Sequence, residues 1–127
     1  MRPLVVLFLL IAVAACGEDS AEQRLRQYFA VPPDVLSDTT ALSAAILKQL
    51  KTGTPESEIA ATLKARGVGK DSLSGYYPPI QSDTGLVRVE RDPPATNVVL
   101  KSYVVRLIFD SSRRLSQVRV TEGLTGP

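Results

Sequence analysis

The sequence predicts an α+β fold: a two-layer domain in which a helix hairpin packs on a three-stranded antiparallel sheet, in the order ααβββ. Two stretches carry apolar residues at helical spacing and are joined by a short link containing glycine. Three later stretches alternate with a period of two, separated by a proline-rich break and a polar turn. Three antiparallel strands leave one face to be covered, and two amphipathic helices supply the cover.

The first helix is expected over Ser37–Lys51. Ser37 or Asp38 can cap it, and Leu42, Ala45, Ile46 and Leu50 form its apolar stripe, which Gln49 interrupts. Lys48 and Lys51 suit the negative end of the helix dipole, and Gly53 follows as the stop. The second helix is expected over Thr54–Arg66, with Thr54 as cap, Pro55 in the first turn, and Glu56 and Glu58 against the positive helix end. Ile59, Ala60 and Leu63 form its apolar face, and Gly67 ends it. Val68–Gly85 reads as irregular, with Tyr76 and Tyr77 set among glycines and prolines. Leu86–Arg91 alternates Val87 and Val89 against Arg88 and Glu90, and Asp92-Pro93-Pro94 breaks it. Val98–Phe109 is a long strand with Tyr103, Val105, Leu107 and Phe109 on the core face. Asp110–Arg113 is a turn, Leu115–Thr121 is the partner strand with Val118 and Val120 inward, and Glu122–Pro127 reads as a frayed tail.

The chain has 127 residues, with 15 basic and 13 acidic side chains, one cysteine, and neither histidine nor tryptophan. A near-neutral balance gives no electrostatic footprint for nucleic acid. Without imidazole, the common metal ligands and the commonest nucleophile–base pairs are missing, so neither metal nor cofactor nor enzymatic activity is expected. No disulfide can form within the chain, and packing alone must hold the domain together.

Arg2 and the amino terminus precede an unbroken apolar run, Leu4–Ala15. That run is too short for a membrane span, which needs about 20 apolar residues, and fits a signal-peptide core. Cys16 follows Val13-Ala14-Ala15 and precedes Gly17, an arrangement that resembles a bacterial lipobox. An ordinary secretory site at Ala12-Val13-Ala14 and an uncleaved anchor are the alternatives. The lone cysteine favours the lipobox, because secreted cysteines otherwise tend to pair. The resemblance implies acylation of Cys16 by chains such as palmitate and a permanent membrane anchor. Gly17 stands where aspartate would signal retention in the inner membrane, which implies the outer membrane. The expected organisation is a signal peptide over residues 1–15, a tether over 16–36 and the α+β domain over 37–127. Within the tether, Glu22–Phe29 can form a short helix ended by Val31-Pro32-Pro33, serving either to dock a partner or to pack on its own domain.

Leu50–Ile59 reads as a glycine followed by a capped helix, and Leu107–Val118 as a strand, Phe109-Asp110, a turn and a strand. These two stretches resemble the small lipoproteins of the outer-membrane β-barrel assembly machinery, the SmpA/OmlA or BamE-like family. β-Lactamase-inhibitor-like domains share the same fold class. The resemblance implies a non-enzymatic module on the periplasmic face of the outer membrane that binds protein or assists envelope assembly. A lipid-anchored inhibitor of a periplasmic or host hydrolase is the alternative. Gly67-Val68-Gly69-Lys70 is no phosphate loop, since Lys64 and Asp71 occupy positions that need glycine and a hydroxyl. Glu56 and Glu58 do not face each other on a helix and are no acid–base pair. The candidate partner-binding residues are Tyr76 and Tyr77, either as aromatic anchors or as a cap over the open end of the core, and Arg88 and Arg106, which with Arg113, Arg114 and Arg119 form either a basic sheet face for a partner or an ordinary solvated one. The expected partners are the membrane, through Cys16, and an envelope protein; no small-molecule substrate is evident.

Overall fold

The computed structural model describes residues 20–91 and 100–125. The expected signal segment, Cys16 and the Asp92-Pro93-Pro94 break lie outside the described residues. The elements are α1 (Ser20–Phe29), a single 3-10 turn (Pro33–Val35), α2 (Thr39–Leu50), α3 (Glu56–Ala65), β1 (Ser74–Tyr77), β2 (Thr84–Glu90), β3 (Leu100–Phe109) and β4 (Leu115–Thr125). The class is α+β, as the periodicity predicts.

Local chemistry sets the helix ends. Asp38 caps α2 by accepting hydrogen bonds from the amides of Thr40 and Ala41, at 2.9 and 3.4 Å. The expected role of Thr54 is corrected. Its hydroxyl donates backward to the Leu50 carbonyl at 2.7 Å, tying off the end of α2, and Pro55 stands at the N-cap of α3 without a side-chain cap. The link between the helices is held by the sheet instead. Gly53 N–H donates to the Leu115 carbonyl, Leu115 N–H to Thr54, and Glu56 N–H to Arg113, at 2.7, 2.9 and 2.9 Å. The link therefore pairs with the start of β4 and covers that part of the sheet edge.

The sheet is a four-stranded antiparallel meander in the order β1-β2-β3-β4. The expectation of three strands is corrected by β1, which lies in the stretch read as irregular. Four residues containing Gly75 carry too little alternation to register as a strand, and β1 gains its ladder only by pairing Ser74–Tyr77 with Leu86–Val89. A second correction concerns the tail. Glu122–Thr125 continues β4, paired with Leu100–Tyr103, so the hairpin is longer than its apolar pattern.

One face of the sheet is the core face. Val87, Val89, Tyr103, Val105 and Leu107 are fully buried there, with Phe109, Leu115, Val118 and Val120 nearly so. Leu42, Ile46 and Leu50 of α2 and Ile59 and Leu63 of α3 pack into the same cluster. Each such side chain contributes roughly 1.5–3 kcal/mol on burial. The segment drawn as a tether supplies a further share. Ala21, Leu25, Tyr28 and Phe29 of α1 are buried, as are Val31 and Leu36 beyond it. Helix α1 therefore belongs to the packed unit, and it lies against β2, β3 and α2. Polar links fix its seat. Tyr28 donates to the buried Ser74 hydroxyl at 3.0 Å, and Arg66 donates to the Tyr28 carbonyl at 2.9 Å. Gly67 follows α3 at φ 105°, a backbone conformation that strains any residue with a Cβ and favours glycine there.

Candidate protein-docking face

The pleat that sends Val87, Val105 and Val120 toward the helices sends their neighbours the other way. On that outer face the register aligns Tyr77 with Leu86, Leu86 with Arg106, and Arg106 with Arg119 in one row across the sheet. A second row holds Gly75, Arg88, Val104 and Thr121, and a third Thr84, Ile108 and Gln117. No described helix covers this face. Leu86, Val104 and Ile108 are only half-buried on it. The interior strand β3 thus carries apolar side chains on both faces, although the described helices cover only one.

The sequence-predicted site residues divide between the two faces. Tyr76 points inward. It lies over Gly85, where a Cβ would sit 3.1 Å from its hydroxyl oxygen, and it donates to a Glu56 carboxylate oxygen at 2.8 Å. It thereby ties β1 to the start of α3. Tyr77 points outward and is 50% exposed. Arg88 lies on the outer face, paired with Glu90 and donating to the Tyr77 hydroxyl at 3.4 Å and the Ser72 carbonyl at 3.1 Å. The Tyr77 contact and Glu90 hold its guanidinium above its ordinary pKa against the opposing effect of burial. Arg106 shares that face and donates to the Thr121 hydroxyl at 3.0 Å. Arg113 and Arg114 do not join it. They sit in the β3–β4 turn, where they donate to the carbonyls of Pro79 and Gly53.

Sequence reasoning missed Ile80, which is 76% exposed in the β1–β2 loop three residues beyond Tyr77. Among the described residues these two are the exposed large hydrophobic side chains, and they fall in one loop region. It also missed Leu86, Val104 and Ile108 as a surface, though the double apolar alternation of Tyr103–Phe109 was the available signal.

The Tyr76–Glu56 contact makes a pH-dependent contribution. Burial first, then the hydrogen bond to Glu56 and its negative charge, push the Tyr76 phenol up; Arg113 opposes them weakly. A raised folded-state pKa means that the folded protein holds this proton more tightly than the unfolded chain. The resulting stability is complete below about pH 10, the ordinary tyrosine value, and falls as pH rises beyond it. Urea unfolding midpoints measured between neutral and strongly alkaline pH should decline above that point. They should decline less steeply in Tyr76→Phe, and equal slopes would remove Tyr76 as a source of the effect.

Among the described residues, no group of three His, Cys, Asp or Glu side chains could hold a metal, and no helix is long and apolar enough to cross a membrane. No family model matches the chain, and neither a curated protein nor a solved structure matches it.

Proposed function

We propose that this chain is a lipid-anchored outer-membrane module that faces the periplasm and acts by binding protein, without catalysis. Residues 1–15 direct export, Cys16 carries the lipid, and the packed unit from α1 onward presents the outer sheet face to an envelope partner. The observation that carries the binding reading is the row of Tyr77, Leu86, Arg106 and Arg119, which no described helix covers, flanked by Val104 and Ile108 and continued by Ile80 in the neighbouring loop. Half-exposed apolar side chains beside arginine and tyrosine have the composition of an interface centre. Confinement to a membrane surface raises the effective concentration of such a module for a partner on that surface, so a modest contact suffices.

A lipid-anchored inhibitor of a hydrolase is the second reading. It is favoured by Ile80, a single apolar side chain projecting from a hairpin loop in a form that suits insertion into a partner's cleft. Affinity capture from detergent-solubilised envelopes, with identification of what is recovered, separates the two. Barrel-assembly components support an envelope-assembly role, and a soluble hydrolase supports inhibition. In either case Ile80→Asp combined with Tyr77→Ala should reduce recovery by about tenfold or more, as expected when interface anchors worth 1–2 kcal/mol each are lost. If the double variant recovers the same proteins in the same amounts, this surface is not the binding site.

A further inference from the structure

The outer sheet face also specifies the chemistry of what would cover it. Arg106 and Arg119 stand directly opposite each other on β3 and β4, and like charges in that relation are destabilising. Arg106 contacts the neutral Thr121 hydroxyl, Arg119 is exposed, and among the described residues neither has a carboxylate partner. Glu90 is the acidic side chain that the register places on this face, and Arg88 already engages it. Two guanidinium groups therefore remain uncompensated, side by side and bordered by apolar Leu86, Val104 and Ile108. Along β3, Val104, Arg106 and Ile108 recur at every second residue, a repeat of about 6.8 Å. An extended polypeptide repeats its side chains on one face at the same interval.

We propose that this face docks an extended acidic segment of a partner protein, with carboxylates against Arg106 and Arg119 and apolar side chains over Leu86, Val104 and Ile108. The proposal rests on the protein-binding reading and names the partner chemistry at that site. Arginine suits the task because its planar fork meets a carboxylate through two parallel hydrogen bonds.

The test uses the full processed protein in non-ionic detergent. Fluorescence anisotropy follows a labelled peptide of Val-Ser-Glu-Ser repeats, which in extended form places Val and Glu alternately on one face. A Val-Ser-Lys-Ser peptide serves as its counterpart. The acidic peptide should bind about tenfold or more tightly than the lysine peptide, and less tightly as salt rises. Arg106→Glu combined with Arg119→Glu should reverse the preference, an outcome that mere loss of structure cannot produce. Arg119→Gln, at the more exposed position, should weaken the acidic peptide several-fold with the melting temperature unchanged. Equal affinity for both peptides, or an unchanged preference in the charge-reversed protein, overturns the proposal. So does full displacement of the peptide by inorganic phosphate at constant ionic strength, which would make the pair a small-anion site. Because the peptides are synthetic, these outcomes do not depend on whether envelope capture recovers a partner.

Discussion

Phe29→Ala is expected to lower the unfolding free energy by about 3–5 kcal/mol, the usual cost of emptying a buried aromatic site. Phe29 is fully buried, at the end of a helix that precedes the link to α2 and packs against β2, β3 and α2. A domain of this size has only about 5–15 kcal/mol to lose, and with one cysteine in the chain no internal disulfide can offset the loss. For a domain of roughly 100 residues, each kcal/mol shifts Tm by about 4–8 °C, so the variant should melt more than about 12 °C below the parent. Leu25→Ala, one turn earlier and equally buried, should cost about 2–5 kcal/mol. Gln23→Ala, on the exposed side of the same helix, should change stability by less than about 0.5 kcal/mol. Calorimetry of the three variants decides whether α1 belongs to the folding unit. If Phe29→Ala melts with the parent, α1 is an appendage, and the seat formed by Tyr28, Ser74 and Arg66 carries no stability.

The contrast between α1 and the later elements shows what was legible in the sequence. Leu42, Ile46 and Leu50 announce a helix by spacing alone. Val87 and Val89 announce a strand, as do Tyr103, Val105, Leu107 and Phe109, because each run faces a single core across several residues. The helix formed by α1 was legible from Leu25, Tyr28 and Phe29, but where it packs was not. Val31-Pro32-Pro33 reads as the end of an element and says nothing about where the chain goes next, and burial of Leu36 just beyond it is a tertiary fact. Strand β1 was not legible, because its hydrogen bonds exist only once β2 is beside it. Thr54 shows a different failure. Its type fits a cap, but the sheet edge at Arg113 and Leu115 takes over the link, and the hydroxyl turns back to Leu50.

The candidate site was half legible for a related reason. Tyr76 and Tyr77 are adjacent and identical in type, yet the pleat sends them to opposite faces, and the register that pairs Tyr76 with Val87 and Tyr77 with Leu86 decides which one packs against the core. Arg88 and Arg106 were correctly placed on strands. Their fates differ because Glu90 lies two residues from Arg88, whereas the register sets Arg119 opposite Arg106. Cross-strand register is not written in any one segment. It follows from the turns, here including the irregularity between Ile108 and Phe109 that brings Leu115 opposite Phe109.

Cys16→Ala is expected to abolish membrane anchoring through the lipid. A buried acyl chain contributes about 0.8 kcal/mol per CH₂, yet one chain alone holds a protein only marginally, and stable anchoring takes a second. On the proposed reading, a diacylglyceryl thioether on Cys16 would supply both chains at a single sulfur, and one substitution would remove the whole anchor. Among the described residues, no helix is long and apolar enough to cross a bilayer. Only Gly17, Glu18 and Asp19 separate Cys16 from the start of α1, a reach of at most about 14 Å. The lipid would therefore hold the packed unit directly against the membrane surface. In detergent phase separation the wild-type protein should enter the detergent phase, with a mass that includes the acyl groups and lacks residues 1–15. The variant should either partition into the aqueous phase after cleavage elsewhere or accumulate with residues 1–15 intact. Its melting temperature, measured on the aqueous form, should match that of wild type, because the substitution lies before the packed residues. A variant that partitions and migrates like wild type would mean that Cys16 carries no lipid, and the anchoring part of the proposed function would fail while the docking face stood untouched.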